Sequence, residues 1–355
     1  MYISPFASHI INVETAAQMI HVDFRHQNTQ DRQLEATTSF ECDMLQQLIN
    51  ACKIGEAEYI IELVNTSQCD VNMKDPHTGR SAMHVACYHD QSGALRSLLS
   101  LGASFHQLDH SGATPVHVAA AHGLECLKLL LQDYHADGCA RDGAGRTPLS
   151  HAASSGNLEA ISVLLTHPSC GPGAVAIPDA SGSLPIHQAA SCGQAQVLKL
   201  LIHPLHGIGP DCEEEAPAPR RRSPLHLAAQ MGHNAAVETL LALGGNPGVL
   251  DAQDASPCHV AAENGHLGVL QMLYQAGATC QSTDRDGWLP LQLAASQGHT
   301  NCVDFLLSAC GSNVNEVNMI SARNRGWTSL HCATKQKDVQ MVLHLLACGA
   351  DPTLR

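Results

Sequence analysis

Aromatic residues are scarce in this sequence. Phe, Tyr and Trp together make up 3% of its 355 residues, and Trp occurs only twice. A large globular core normally uses more aromatic side chains, because each of them buries a large apolar area. The composition therefore argues against one large globular core, although the length would suffice for two ordinary domains.

Basic residues are also few. Lys and Arg number 19 against 33 Asp and Glu, which gives a formal net charge of -14. A chain of this charge repels a phosphate backbone unless a local basic patch outweighs the net negative charge. We therefore expect no nucleic-acid partner.

Long apolar runs and paired cysteine motifs are missing as well. No stretch approaches the roughly 18 apolar residues of a membrane span, and Met1–Ile20 has no basic start followed by a continuous apolar segment. The 15 cysteines are odd in number and include no C-x-x-C pair, which fits neither a secreted disulfide framework nor zinc-finger spacing. These absences predict a soluble, cytoplasmic chain in a reducing setting, with no direct membrane insertion in the chain shown. A nuclear location and a membrane-tethered parent protein are the alternatives.

What the sequence does contain is a recurring unit, which is clearest at Ser223–Gly244. Ser223 is a favourable N-cap, and Pro224 suits the first helical turn, where its missing N–H is not needed. Gly232 ends this short helix and lets the chain reverse. A second helix is predicted to follow, because Val237, Leu240 and Leu241 have the i, i+3, i+4 spacing of one apolar face.

The same pattern returns nine times along the chain. Four of the eight spacings between equivalent apolar positions of the first helix are 33 residues, which is the ankyrin period. These positions are, in chain order, Leu48, Met83, Val116, Leu149, Ile186, Leu225, Cys258, Leu291 and Leu330.

Through its repeated T-P-L-H-x-A-A, G-H and G-A-D motifs, the chain resembles the ankyrin-repeat family over about Cys42–Arg355. The resemblance implies an all-α fold, an ankyrin-repeat solenoid of stacked helix-turn-helix units with short β-hairpin or turn connections. We expect an irregular N-terminal arm or cap over 1–40 and an ankyrin-repeat domain over 41–355. Its repeats cover about 41–73, 74–108, 109–141, 142–178, 179–214, 215–250, 251–283, 284–320 and 321–355.

Five positions depart from the family motif. Where the family motif has His, this chain has Ile49, Ser150 and Gln292. Where the motif has Thr, it has Leu184 and Leu289. These changes put local hydrogen bonds in question but leave the fold prediction unchanged.

The 23 histidines invite a metal or catalytic interpretation. Nine of them, however, occupy only two repeat positions: six stand in the T-P-L-H slot and three follow the glycine between the helices. In the family the first slot hydrogen-bonds to neighbouring backbone and to the Thr side chain, and an imidazole offers one donor and one acceptor for this purpose. We therefore expect structural histidines, with no metal, no cofactor, no catalytic residue and no enzyme activity.

Three insertions make the longer spacings, at His167–Asp179, His203–Arg222 and Cys310–Arg325. Insertions in repeat arrays lie on one face, which is often the binding face. The middle insertion is charged, and it is either a docking loop or a solvated disordered loop. Its charged residues are Glu213, Glu214, Glu215, Arg220, Arg221 and Arg222.

The two tryptophans, Trp288 and Trp327, each follow a hairpin glycine in consecutive units. In the family this position tends to face the concave groove, so the two rings are expected side by side. Arg285, Arg323 and Arg325 flank them, and Trp with Arg is typical of interface hot spots that bind an acidic or carboxylate-bearing segment. The alternative is that each Trp only packs against its neighbouring hairpin.

Solenoids present extended surfaces, so binding is the expected function. We predict a protein–protein interaction scaffold or adaptor that binds a partner through its hairpins and concave face. The alternative is the N-terminal cytosolic ankyrin region of a larger protein, such as an ankyrin-bearing cation channel, a ubiquitin-ligase substrate receptor or an ankyrin-bearing enzyme. Gly349–Thr353 favours this alternative, because it looks like the entry to another repeat.

Overall fold

The computed structural model describes residues 43–67, 69–202, 208–213, 221–309, 318 and 327–354. Within them the chain forms successive pairs of short helices joined by turns, which confirms the all-α prediction. The expected arm or cap at 1–40 lies outside the described residues.

Each pair consists of an inner helix followed by an outer helix. The inner helices are α1 (43–54), α3 (Ala82–Tyr88), α5 (Pro115–His122), α7 (Pro148–Ser155), α9 (Pro185–Ser191), α11 (Pro224–Met231), α13 (Pro257–Glu263), α15 (Pro290–Ser296) and α17 (Ser329–Lys335). The outer helices are α2 (Ala57–Ser67), α4 (Ser92–Ser100), α6 (Leu124–Gln132), α8 (Leu158–Thr166), α10 (Ala195–Leu201), α12 (Asn234–Ala242), α14 (Leu267–Gln275), α16 (Thr300–Ala309) and α18 (Val339–Ala347).

The helices stack in two layers. From α3 onward each inner helix packs on the next inner helix, and from α2 to α16 each outer helix packs on the next outer one. In the sixth unit Ala228 and Ala229 of α11, and Val237 and Leu240 of α12, are 0% exposed. Helices this short are not stable alone in water, so their stability comes from burial against neighbouring units.

The ends of α11 show why the unit folds as it does. Ser223 is the N-cap in extended conformation, and Pro224 opens the helix. Gly232 closes it with a φ of +73°, in the left-handed region that favours glycine. The ring of His266 from the next unit packs where a Cβ of Gly232 would stand, since that Cβ would lie 2.5 Å from Nδ1 of His266. Glycine is therefore needed at this position for its backbone conformation and for the close approach.

The connections between units are turns rather than extended hairpins. One isolated antiparallel bridge, between Lys74 and Ser81, is the only β pairing in the described part of the chain. Successive turn tips are joined by single backbone hydrogen bonds, such as that from Gly143 N–H to the Ser111 carbonyl at 2.9 Å. These bonds align the tips into a row along one edge of the stack.

The first insertion, His167–Asp179, is not simply a longer surface loop. It contains the 3₁₀ helix Pro172–Ala176, which packs on α8 and α9. Ala174 and Val175 are buried, with exposed fractions of 2% and 1%. Because these apolar side chains extend the core, part of the insertion contributes to stability. Of the other two insertions, only 208–213, 221, 222 and 318 are described.

Candidate protein-binding groove

The T-P-L-H histidines connect each unit to the next. In the third unit, Nδ1 of His117 accepts the backbone N–H of Thr114 at 3.1 Å and lies 2.9 Å from its hydroxyl. An N–H group can only donate, so Nδ1 is unprotonated and Nε2 carries the proton. Nε2 donates it to the carbonyl of Arg146 in the fourth unit at 3.1 Å. The same bond to the following unit is made by His84, His187, His226 and His259.

Burial favours the neutral form of at least three of these imidazoles, those of His84, His117 and His259. Desolvation, together with the smaller effect of the nearby His151, lowers the pKa of His117 from 6.5 to about 4. Burial likewise lowers the pKa of His84 and His259. Since a proton on Nδ1 would also displace the accepted N–H, the fold favours the neutral form.

The departures from the motif have different outcomes. Gln292 replaces the slot histidine in the eighth unit, and its Oε1 accepts the N–H of Leu289 at 3.0 Å while its Nε2 donates to the Trp327 carbonyl at 3.2 Å. Ser150 is too short to reach the next unit, and its backbone N–H donates to the Thr147 hydroxyl at 3.4 Å. Glutamine therefore reproduces both contacts of the histidine, whereas the side chain of Ser150 keeps only a contact with the Thr147 hydroxyl, at 3.3 Å.

The histidines that follow glycine point the other way along the stack. Nε2 of His233, His266 and His299 lies 2.9 to 3.1 Å from a backbone carbonyl of the preceding unit. Among the described residues, no three His, Cys, Asp or Glu side chains gather where they could hold a metal ion.

The backbone of Trp288 is held on three sides. Its N–H donates to Oδ1 of Asp284 at 2.8 Å. Its carbonyl accepts from the Asp284 N–H at 3.0 Å and from Nε2 of His259 at 3.1 Å. These three hydrogen bonds fix the backbone of Trp288. Its side chain is half-buried. Trp327 occupies the same place in the next unit, and its carbonyl is held by Gln292.

The two tryptophans line one groove on the inner face, the surface formed by the inner helices and the turn bases. We call it the Trp groove. Its walls come from α15, α17 and the two turn bases. The lining residues are Trp288, Leu293, Ser296, Gln297, Trp327, Cys332, Lys335 and Gln336.

A second depression adjoins the Trp groove and shares Trp288 and Leu293 with it. We call it the acidic pocket, because Asp251, Glu263, Asp284 and Asp286 line it together with Arg222. Burial raises the pKa of the Asp284 carboxyl above its ordinary value, although the N–H of Trp288 donates to it.

The arginines expected beside the tryptophans are placed as follows. Nε of Arg285 lies 3.3 Å from Oδ2 of Asp254, and both side chains are about half exposed. Its charge is therefore balanced at the turn tip. Arg323 and Arg325 lie outside the described residues. Lys335 takes the cationic position instead, with Nζ 4.9 Å from the centre of the Trp327 ring.

The charged insertion is described only at its edges. Arg221 pairs with Glu213 at 2.9 Å on the surface, and Glu214, Glu215 and Arg220 lie outside the described residues. Arg222 is buried, with 6% of the residue exposed. Its guanidinium binds Asp251 at 3.5 Å and also Gln230. Arg222 therefore joins the sixth and seventh units beneath the acidic pocket and is not part of an exposed charged loop.

The sequence did not predict Lys335 in the Trp groove, nor Glu263, Asp284 and Asp286 in the acidic pocket. Asp284 carried a signal, because a carboxylate recurs at the start of the turns, as in Asp109, whose Oδ1 accepts turn N–H groups. Glu263 and Lys335 both occupy the last residue of an inner helix. The end of the first helix is thus a position from which groove residues can be predicted.

No helix in the described ranges is long and apolar enough to cross a membrane.

Known proteins share the repeat pattern. A family model for ankyrin repeats in three copies matches residues 48–142, 137–215, 186–284 and 259–355. The chain is 30% identical over 174 residues to inversin of Canis lupus familiaris, which covers 48% of this chain and 16% of inversin. It is 30% identical over 171 residues to the B-cell lymphoma 3 protein homolog of Mus musculus, covering 46% of this chain and 37% of that protein.

A third relative is the human transient receptor potential cation channel subfamily A member 1. It is 29% identical over 133 residues, which cover 37% of this chain and 11% of the channel. The chain thus spans well under half the length of each of these three relatives.

Ankyrin repeats are generally protein-interaction modules, and the matches extend from residue 48 to residue 355. The stacked two-helix units, the glycine-closed turns and the slot histidines give these matches their structural basis. This chain therefore belongs to the ankyrin-repeat family.

Proposed function

We propose that the chain is a protein-interaction scaffold or adaptor whose Trp groove holds a segment of a partner protein. The observation that carries the proposal is the pair of half-buried tryptophans at equivalent positions of the eighth and ninth units, which line one groove. Trp is among the residues that contribute most to binding at protein interfaces.

Rigid placement supports this role. The hydrogen bonds to the Trp288 backbone fix the start of its side chain before any partner arrives. A residue whose backbone is already fixed loses less conformational freedom on binding, which favours affinity. The same reasoning applies to Trp327 through the bond from Gln292.

The test is a comparison of three forms of the chain as bait. We expect the parent and a Leu343→Ala control to recover the same partner proteins, since Leu343 is 56% exposed on the outer helix α18 of the ninth unit. The Trp288→Ala, Trp327→Ala double variant should lose them, at a cost in binding free energy of at least about 2 kcal/mol. Circular dichroism and the melting midpoint show whether each variant is folded.

Two outcomes contradict the proposal. If the double variant loses helical signal in the eighth and ninth units, the tryptophans are packing residues, which is the alternative raised by the sequence. If it remains folded and recovers the same partners, the binding surface lies elsewhere. The exposed Glu213 and Arg221 edge of the charged insertion is then the next candidate.

The match to the human cation channel supports a second proposal, that these repeats form part of a larger protein. Sequencing the full transcript tests it. A reading frame that continues into another domain supports the proposal, and a stop codon directly after residue 355 contradicts it.

A further inference from the structure

The charge around the Trp groove is uneven, and this unevenness bears on what the groove can hold. On one side of Trp288 lies the acidic pocket, and on the other lies the Trp groove with Lys335 at its far end. Because Trp288 forms a wall of both, a ligand that touches this ring meets both environments.

The acidic pocket keeps an excess of negative charge after its internal pairs are counted. Arg222 balances Asp251 in a buried pair. Glu263 is half-buried and, among the described residues, makes no ion pair. Asp284 accepts backbone N–H groups but faces no cationic side chain at salt-bridge distance in that part of the chain. A cation in this pocket would gain from at least two carboxylates that the protein itself leaves uncompensated.

The expected arginine does not reverse this balance. Arg285 lies beside the pocket in sequence, yet its guanidinium pairs with Asp254 at the turn tip. Lys335 stands on the Trp327 side, one unit away. Among the described residues the charge near Trp288 is therefore negative, which favours a basic partner segment over a carboxylate-bearing one.

The neighbouring unit shows how a cation fits against such a ring. Nζ of Lys335 lies 4.9 Å from the centre of the Trp327 ring, within the range of a cation–π contact. Trp288 occupies the equivalent place one unit earlier, and in the described residues no Lys or Arg stacks on its ring. A cation from outside the chain could make the same contact with Trp288 and reach Glu263 at once.

We propose that the Trp groove and the acidic pocket together bind an extended protein segment that places a basic side chain beside Glu263 and Trp288 and a large apolar side chain between Trp288 and Trp327. This inference rests on the proposed function and adds the chemistry of the partner. Alternate residues of an extended segment point to the same side and are about 7 Å apart. The partner motif is therefore an aromatic or large aliphatic residue two positions from an Arg or Lys.

The test uses synthetic peptides and the whole chain. Three fluorescein-labelled peptides share one flanking sequence and carry Phe-Ser-Arg, Phe-Ser-Gln or Phe-Ser-Glu at the centre. Fluorescence anisotropy should show the Arg peptide binding about tenfold more tightly than the Glu peptide, with the Gln peptide between them. The preference should shrink as salt is added, because the pocket is partly exposed.

Two matched charge variants test whether Glu263 causes the preference for the Arg peptide. Glu263→Lys should weaken the Arg peptide about tenfold and improve the Glu peptide. The control, Glu238→Lys, makes the same charge change on the exposed side of the outer helix α12 and should leave both affinities nearly unchanged. A basic preference that persists in Glu263→Lys, or an equal effect of both variants, overturns the inference.

The two proposals fail in different ways. If Trp288→Ala weakens all three peptides while the peptide charge makes no difference, the Trp groove stands and the basic partner is wrong. If the Arg peptide binds equally well without Trp288, the groove itself is wrong. If no peptide binds, the basic apolar segment is refuted as occupant, and the bait comparison described above still decides the proposed function.

Discussion

We expect buried slot histidines such as His117 to make this fold sensitive to acid. In the folded chain the pKa of His117 is lowered to about 4, chiefly by burial, from an ordinary value of 6.5. The unfolded chain therefore binds a proton between these two values while the folded chain does not. The stability that His117 contributes is fully present above pH 6.5, falls as the pH decreases through this window, and reaches its full loss near pH 4.

The size of the effect follows from the shift. About 2.5 pKa units correspond to roughly 3 kcal/mol when the window has been crossed completely, and to about 2 kcal/mol near pH 5. His84 and His259 also have lowered pKa values and act in the same direction. A loss of this size is a large part of the usual stability of a folded protein.

The eighth unit suggests a variant that separates the protonation of His117 from other effects of acid. Gln292 makes both hydrogen bonds of the slot without a titratable ring. His117→Gln should therefore remain folded near neutral pH and lose about 2 kcal/mol less than the parent between about pH 7.5 and pH 5. Urea denaturation followed by circular dichroism at both pH values measures this difference.

The control is His106→Gln, which removes an exposed histidine outside the slot. Its pH dependence should match that of the parent. Equal pH dependence in His117→Gln and the parent would refute the reasoning, because it would mean that the buried imidazole is not what the acid titrates.

Three further predictions concern single positions. Ser329→Pro should stabilise the ninth unit by about 0.5–1 kcal/mol, because the buried Ser329 hydroxyl makes no hydrogen bond within the described residues and its equivalents in the third to eighth units are proline; a lower unfolding midpoint would contradict it. Gly232→Ala should cost at least about 1 kcal/mol, since φ is +73° and the new Cβ would meet His266, and hydrogen exchange should show the loss in the sixth and seventh units first. Iodoacetamide should modify the exposed Cys192 well before the buried Cys52, whose pKa burial raises to about 12, as peptide mass mapping over time would reveal.

The fold could be predicted from the sequence because each signal is local and repeated. Ser223, Pro224 and Gly232 predict the start and the end of one helix. The period near 33 residues indicates that the same helix pair recurs and stacks on its copies. The apolar positions of the two helices follow from the helical period, and Leu240 is indeed fully buried.

The features that escaped prediction depend on contacts between units. Ala174 and Val175 are buried because the insertion folds back on α8 and α9, which no local pattern in His167–Asp179 specifies. Arg222 belongs to a charged run that is typical of a solvated loop, yet it is buried in an ion pair with Asp251 of the next unit. Such pairings depend on the register between neighbouring units.

The groove was predictable only in part. The shared position of Trp288 and Trp327 after a hairpin glycine predicted that they would meet on one face. The charge beside them was not predictable, because Arg285 is adjacent in sequence but pairs at the turn tip, whereas Glu263 comes from the preceding inner helix. Among the described residues the neighbours in space of Trp288 are mainly acidic, whereas the arginines near it in sequence indicated a basic site.

Site-specific photo-crosslinking tests the central claim most directly, namely that the inner face of the eighth and ninth units holds a partner. A photoreactive residue at Gln297, which is exposed in the Trp groove, should give a discrete crosslinked adduct in cells, whereas the same residue at Glu238 on the outer helix α12 should give none. The adduct should disappear when Trp288 and Trp327 are changed to Ala in a chain that remains folded. Adducts from Glu238 alone, or adducts from Gln297 that persist without both tryptophans, would contradict the account.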